Sequence, residues 1–186
     1  PVAGHRGPDI RAMKMRVRRT QHADMTAAVV VALLAVFVVS CASTNPYATT
    51  NVTRESIRVQ LPAGAADVDV YRPNAAAPAP MVIVAHGFLR HRRNMSGWGR
   101  HLAGEGFVAV VPDLPTWSDH ARNGRFISEL RAYLLGDESW KKHIDPARVG
   151  LLGFSAGGLS SLLSASHSPG PAVWVGLDPV DRDGLG

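Results

Sequence analysis

A single cysteine, Cys41, stands in a chain of 186 residues. That excludes an intrachain disulfide and any metal site built from several thiolates. Long hydrophobic runs are missing too: the apolar stretch 26–39 has 14 residues, short of the ~20 that spanning a bilayer takes. Cationic surplus is absent from the body. The net charge is +5, but residues 1–40 hold six Lys or Arg against two Asp, which leaves the remainder at +1. A phosphate-binding patch belongs on the folded part, so nucleic-acid binding is set aside. No G-x-G-x-x-G occurs and no Lys follows the glycines of 153–158, which removes the usual dinucleotide and P-loop readings. There is no internal repeat, and the one biased tract, 74–80, reads as a loop. Nor does any histidine follow His167.

What is present suffices for one domain. Hydrophobic residues make up 46% of the chain, too many for general disorder. Residues 1–40 read as an export leader: the basic stretch Lys14-Met15-Arg16-Val17-Arg18-Arg19 precedes the apolar run, and small residues follow. Cys41 comes directly after Val38-Val39-Ser40, an arrangement that resembles a bacterial lipobox. The resemblance implies cleavage before Cys41, lipidation of that residue and a membrane anchor that does not span the bilayer. The protein is then expected in the bacterial cell envelope, or secreted if Cys41 carries no lipid. Residues 41–53 read as a tether, and 54–186 as the folded domain.

Strand and helix signals alternate through that domain, the pattern of an α/β fold with a mostly parallel sheet flanked by helices. Segments 56–61 and 66–71 alternate apolar and polar residues, as half-exposed antiparallel edge strands do. Segment 81–85 is continuously apolar, as a strand covered on both faces should be, and 107–111, 148–153 and 172–177 read as further buried strands. Helices are expected over 96–105, 127–135 and 156–166, with a turn at Asp145-Pro146-Ala147.

The chemistry centres on Gly153-Phe154-Ser155-Ala156-Gly157, a G-x-S-x-G motif between a buried strand and a helix. In that context it reads as a nucleophile elbow, a sharp strained turn that exposes a serine hydroxyl. The flanking glycines are needed because side chains there would collide. A phosphate-binding turn at the helix N-terminus is the competing reading. His86-Gly87-Phe88 follows the strand 81–85. The loop after that strand and the residue after the nucleophile each supply an amide to an oxyanion hole in this fold, which selects Phe88 and Ala156. His86 itself reads as a prop for its loop, not as a base. His91-Arg92-Arg93 reads as a solvated loop, and Trp117 as either pocket wall or core packing.

Val84-Ala85-His86-Gly87-Phe88, the segment 105–112, Gly153-Phe154-Ser155-Ala156-Gly157-Gly158 and Gly176-Leu177-Asp178-Pro179-Val180-Asp181 together resemble chlorophyllases and their bacterial relatives. That wider group includes dienelactone-hydrolase-like and polyester-hydrolase-like enzymes. The resemblance spans roughly residues 66–183. It implies an α/β-hydrolase fold and cleavage of small-molecule or polymeric carboxylic esters without a metal or organic cofactor, with Ser155 as nucleophile. In the chlorophyllase branch the triad acid falls on Asp178; Asp181 is the local competitor, and in other branches the acid follows a later strand.

The histidine departs from the pattern, because chain order in this fold runs serine, acid, histidine. His91, His101, His120, His143 and His167 are expected to be solvated. The domain is therefore expected to stop before the last strands and the base, and by itself to be inactive. An acyltransferase or peptidase on the same fold, or a non-catalytic hydrolase-fold lipoprotein, are the alternatives.

Overall fold

A computed structural model describes residues 51–167 and 169–180. The leader 1–40, Cys41 with the tether as far as residue 50, and Asp181 lie outside the described residues. Six strands form one sheet in the order β1-β2-β4-β3-β5-β6. They are β1 Val52–Leu61, β2 Gly64–Pro73, β3 Ala79–Ala85, β4 Val108–Pro112, β5 Ile144–Phe154 and β6 Val173–Leu177. β1 thus opens two residues before the expected domain boundary. The pairs β1/β2 and β2/β4 are antiparallel, while β3/β4, β3/β5 and β5/β6 are parallel. Helices α1 Ser96–Gly104, α2 His120–Gly136, the single turn α3 Glu138–Lys141 and α4 Ala156–Ala165 cover the sheet. Among the described residues no helix is long and apolar enough to cross a membrane.

Apolar residues on opposite faces of the central strands build two cores. Phe126, Ile127, Leu130 and Leu134 of α2 pack with Val68, Val70, Met81, Ile83, Val110 and Leu151. On the other face Met95 and Ala103 pack with Tyr71, Val84, Ala109, Val111 and Leu152. Covered on both sides, β3 and β4 read as unbroken apolar runs, as strands in such a position must.

Four expectations change. β2 is not an edge: it is hydrogen-bonded on both sides and largely buried, with its charged Asp69 at 0% exposure. β6 is not a covered strand, since Val173 and Val175 are 55% and 42% exposed and nothing pairs its outer side among the described residues. Asp145-Pro146-Ala147 lies within β5, where the pairing register with β3 shifts between Pro80 and Met81; the Asp145 carboxylate accepts from Ala147 N–H at 3.0 Å, a local turn inside a strand. Finally, α2 begins at His120, two turns before its apolar periodicity. Asp119 caps it by accepting from Arg122 N–H at 2.8 Å, as a helix start requires.

Candidate active site

All four parallel strands deliver site residues from their C-terminal ends, where ligands bind in open α/β sheets. β3 leads to His86-Gly87-Phe88, β4 to the loop carrying Trp117, β5 to Ser155 and β6 to Asp178. Three non-glycine residues have positive φ among the described residues: Leu89 at 54°, Ser155 at 52° and Asp178 at 49°. Each lies in the turn or loop that follows one of these strands. Such conformations cost roughly 1–3 kcal/mol apiece and persist only where the surroundings enforce them.

For Ser155 the enforcement is visible. Its N–H donates to Leu177 O at 2.9 Å, and its own carbonyl accepts from Gly158 N–H at 2.8 Å. A side chain on Gly153 would strike Gly157 O and Ser161 Oγ, and one on Gly157 would strike the carbonyl oxygens of Ala85 and His86. The elbow therefore closes only with glycine at both positions, as the motif implied. It does so against β3 and its loop.

Ser155 lines a cleft of about 320 Å³ with Phe88, Trp117, Ser118, His120, Ala156 and Val180. The amides expected to form the oxyanion hole belong to two of these residues. Ala156 N–H is at the first helical position, which has no intrahelical acceptor, and Phe88 N–H makes no backbone hydrogen bond among the described residues. Phe88 and Trp117 meet edge to face at 6.4 Å. Trp117 is 66% exposed, which makes it cleft wall and not core.

The prop reading of His86 matches its contacts. It is 7% exposed, with Nδ1 2.9 Å from Gly87 O and Nε2 accepting from Leu114 N–H at 3.0 Å. Burial holds its pKa below the ordinary 6.5, opposed by the hydrogen bond to Gly87, so the ring is neutral with the proton on Nδ1.

Arg92 is not solvated. Its side chain is 15% exposed and pairs with Asp113, with Asp69 at 3.3 Å and with Asp67 at 3.6 Å; its N–H also donates to Asp113 Oδ1 at 2.7 Å. Two histidines likewise depart from expectation. His143 is half-buried and accepts from Arg72 Nη1 at 3.0 Å. His120 is 8% exposed and stands in the cleft with Ser155, its Nδ1 3.4 Å from Ser160 Oγ. Sequence periodicity missed His120 because the first turns of α2 bury polar residues, His120 and Asn123; the one signal was the capping Asp119 just before it. His91, His101 and His167 are exposed as expected.

Asp178 is exposed, one residue beyond the carbonyl that holds Ser155 N–H. No imidazole hydrogen-bonds Ser155 Oγ among the described residues. Nor do three His, Asp or Glu side chains converge to hold a metal ion among them.

The profile of the PET hydrolase-like family matches residues 38–184. A bis(hydroxyethyl) terephthalate hydrolase of Streptomyces coelicolor is 28% identical over 142 residues, covering 75% of this chain and 45% of the relative. The quorum-quenching protein AidA of Acinetobacter baumannii is 29% identical over 108 residues, covering 53% of this chain and 34% of the relative. The chain thus spans less than half the length of either curated relative. A crystal structure of a Klebsiella pneumoniae protein assigned as a dienelactone hydrolase superposes with a TM-score of 0.61 at 20% identity, over 72% of this chain and 63% of that one. This likeness establishes the α/β-hydrolase fold.

Proposed function

The chain belongs to the PET hydrolase-like family of the α/β-hydrolase superfamily, and from that premise we propose that it carries the nucleophile-bearing part of an exported serine hydrolase of carboxylic esters. The observation that carries this reading is the strained backbone of Ser155 beside two unpaired amides in one cleft. Ser155 Oγ attacks the ester carbonyl carbon and gives its proton to a base. The carbonyl oxygen becomes an anion held by the amides of Phe88 and Ala156, where one such donor contributes about 3 kcal/mol. Collapse expels the alcohol, leaves an acyl group on Ser155, and water then releases the acid.

Asp178 is proposed as the acid that orients the base. The base itself, which chain order in this fold puts after the acid, is not among the described residues. The edge-to-face pair Phe88–Trp117 gives the cleft an aromatic wall suited to an aryl ester, and bis(hydroxyethyl) terephthalate is the natural first substrate to assay. No cofactor enters this chemistry. Lipidation at Cys41 would hold the enzyme to a membrane.

The test is labelling of the full-length protein with a fluorophosphonate probe. The probe should modify Ser155 and stop ester hydrolysis, and Ser155→Ala should lower turnover on the order of a million-fold if the triad acts as a unit. Unchanged turnover in Ser155→Ala would refute the assignment. An unlabelled, inactive protein would favour the second reading, a hydrolase fold kept for binding.

A further inference from the structure

We infer that Asn123 is a positioning residue for the cleft: it fixes the backbone next to Trp117 and so holds that indole as a preorganised wall. This rests on the hydrolase reading above and deepens it, because the wall acts on substrate binding and not on the bond-breaking step.

The inference starts from a buried amide. Asn123 lies on the first turns of α2 and is 2% exposed. It holds both backbone groups of Thr116: Oδ1 accepts from Thr116 N–H at 3.1 Å, and Nδ2 donates to Thr116 O at 2.9 Å. Those two bonds decide which way the amide points, because only its nitrogen can donate. The Thr116 hydroxyl adds a further hold. It accepts from Asp119 N–H at 3.1 Å, and its one hydrogen has Asn123 Oδ1 and Asp119 O within reach, each at 3.1 Å. Every polar group of the residue before Trp117 is thus engaged.

Trp117 has no such hold of its own. It is 66% exposed and meets Phe88 edge to face. An exposed ring on an unsupported loop would give up its freedom each time a ligand bound, at a cost in affinity. A buried, fully paired amide sets one geometry beforehand.

Neighbouring contacts show why the chemistry is spared. The near end of the same loop is fixed without Asn123: Leu114 N–H donates to His86 Nε2 at 3.0 Å, and Asp113 Oδ1 accepts from Arg92 N–H at 2.7 Å. These bonds anchor the loop after β3, which carries the Phe88 amide. Ser155 is held by Leu177 and Gly158. Loss of Asn123 therefore releases the wall and leaves the nucleophile and the two amides in place.

The ester p-nitrophenyl benzoate tests this, because the arm that lies toward Trp117 is aromatic in either orientation. With full-length protein, Asn123→Ala should raise KM about fivefold and keep kcat within about twofold, the pattern of binding lost equally from ground and transition states. Trp117→Ala should do the same, and the double variant should be no worse than Trp117→Ala alone, since residues that act through one contact do not add. An unchanged KM in Asn123→Ala, a fall in kcat as large as the rise in KM, or additive effects in the double variant would overturn the inference. Asn123→Asp keeps the shape but, at about pH 8 where an ordinary carboxyl is ionised, has no donor for Thr116 O. It should follow Asn123→Ala, and it carries the test if that variant does not fold.

A second measurement does not depend on turnover. In the wild type the heteronuclear ¹⁵N NOE of the Trp117 indole N–H should match that of the α2 backbone amides, as in a side chain held on the ps–ns timescale. In Asn123→Ala it should fall, while those of Trp98, Trp140 and Trp174 stay as they were. A low value in the wild type, or the same value in the variant, would overturn the inference. Failure of the wild type to cleave the ester would count against the hydrolase reading, while the NOE comparison still decides the role of Asn123.

Discussion

The imidazole of His86 joins two loops of the cleft through its two nitrogens, Nδ1 to Gly87 O and Nε2 to Leu114 N–H. Only the neutral ring can make both bonds. Burial depresses its pKa below 6.5 in the fold, and the sign of the pH dependence follows. Above pH 6.5 the ring is neutral folded and unfolded, and its contribution is complete. Below that value the unfolded chain takes up a proton that the folded one refuses, so stability falls until the lowered folded pKa is reached. His143, its pKa lowered by burial and by Arg72 and Lys142, adds a loss of the same sign. Urea midpoints measured across this range should therefore drop with acid. The drop should be shallower in His86→Gln, and an identical slope in that variant would show that His86 does not set it.

Arg92 is where three elements are fastened together. It stands in the 3₁₀ turn Arg92–Met95 beyond the loop that follows β3, and grips Asp113 at the end of β4 and Asp69 in the middle of β2. Asp69 is fully buried, and Arg54 Nη2 at 2.9 Å and Ser56 Oγ at 2.6 Å also donate to it from β1. Removing one partner of a buried ion pair leaves the other charge stranded, which is why such losses are large. Arg54 and Ser56 remain in Arg92→Ala, so the expected loss is about 2 kcal/mol, below the full cost of a stranded charge. Arg92→Lys should not restore it, since a point charge cannot replace a fork that reaches several carboxylates. Chemical denaturation of the three proteins measures both claims. Equal stability of wild type and Arg92→Ala would mean that the loop is held by His86 and packing alone.

At the scale of the whole molecule, the positive charge is concentrated in residues 1–40, which we propose to be an export leader, and the remainder is near neutral. The apolar run before Cys41 is too short to span a bilayer, so stable attachment requires acyl chains on that residue. Expressed in a bacterium, the full-length protein should be found in the membrane fraction and should incorporate a fatty-acid analogue. Cys41→Ser should lose the label. Unchanged labelling in that variant would remove the anchor.

The sequence by itself determined the central parallel strands and the strained turn at Ser155. Buried parallel strands must be continuously apolar, and a strained serine turn needs its two glycines, so both are written in consecutive residues. Its misjudgements share one cause. β2 reads as an edge although β4 pairs it, and β6 reads as buried although its outer side is open. Strand order depends on crossovers, and local composition does not record it. His120 and Arg92 read as surface residues for the same reason: a polar side chain is buried only when another element brings it a partner. Ser160 and Asp113, 40 and 21 residues away in sequence, do that here, and only the folded chain places them.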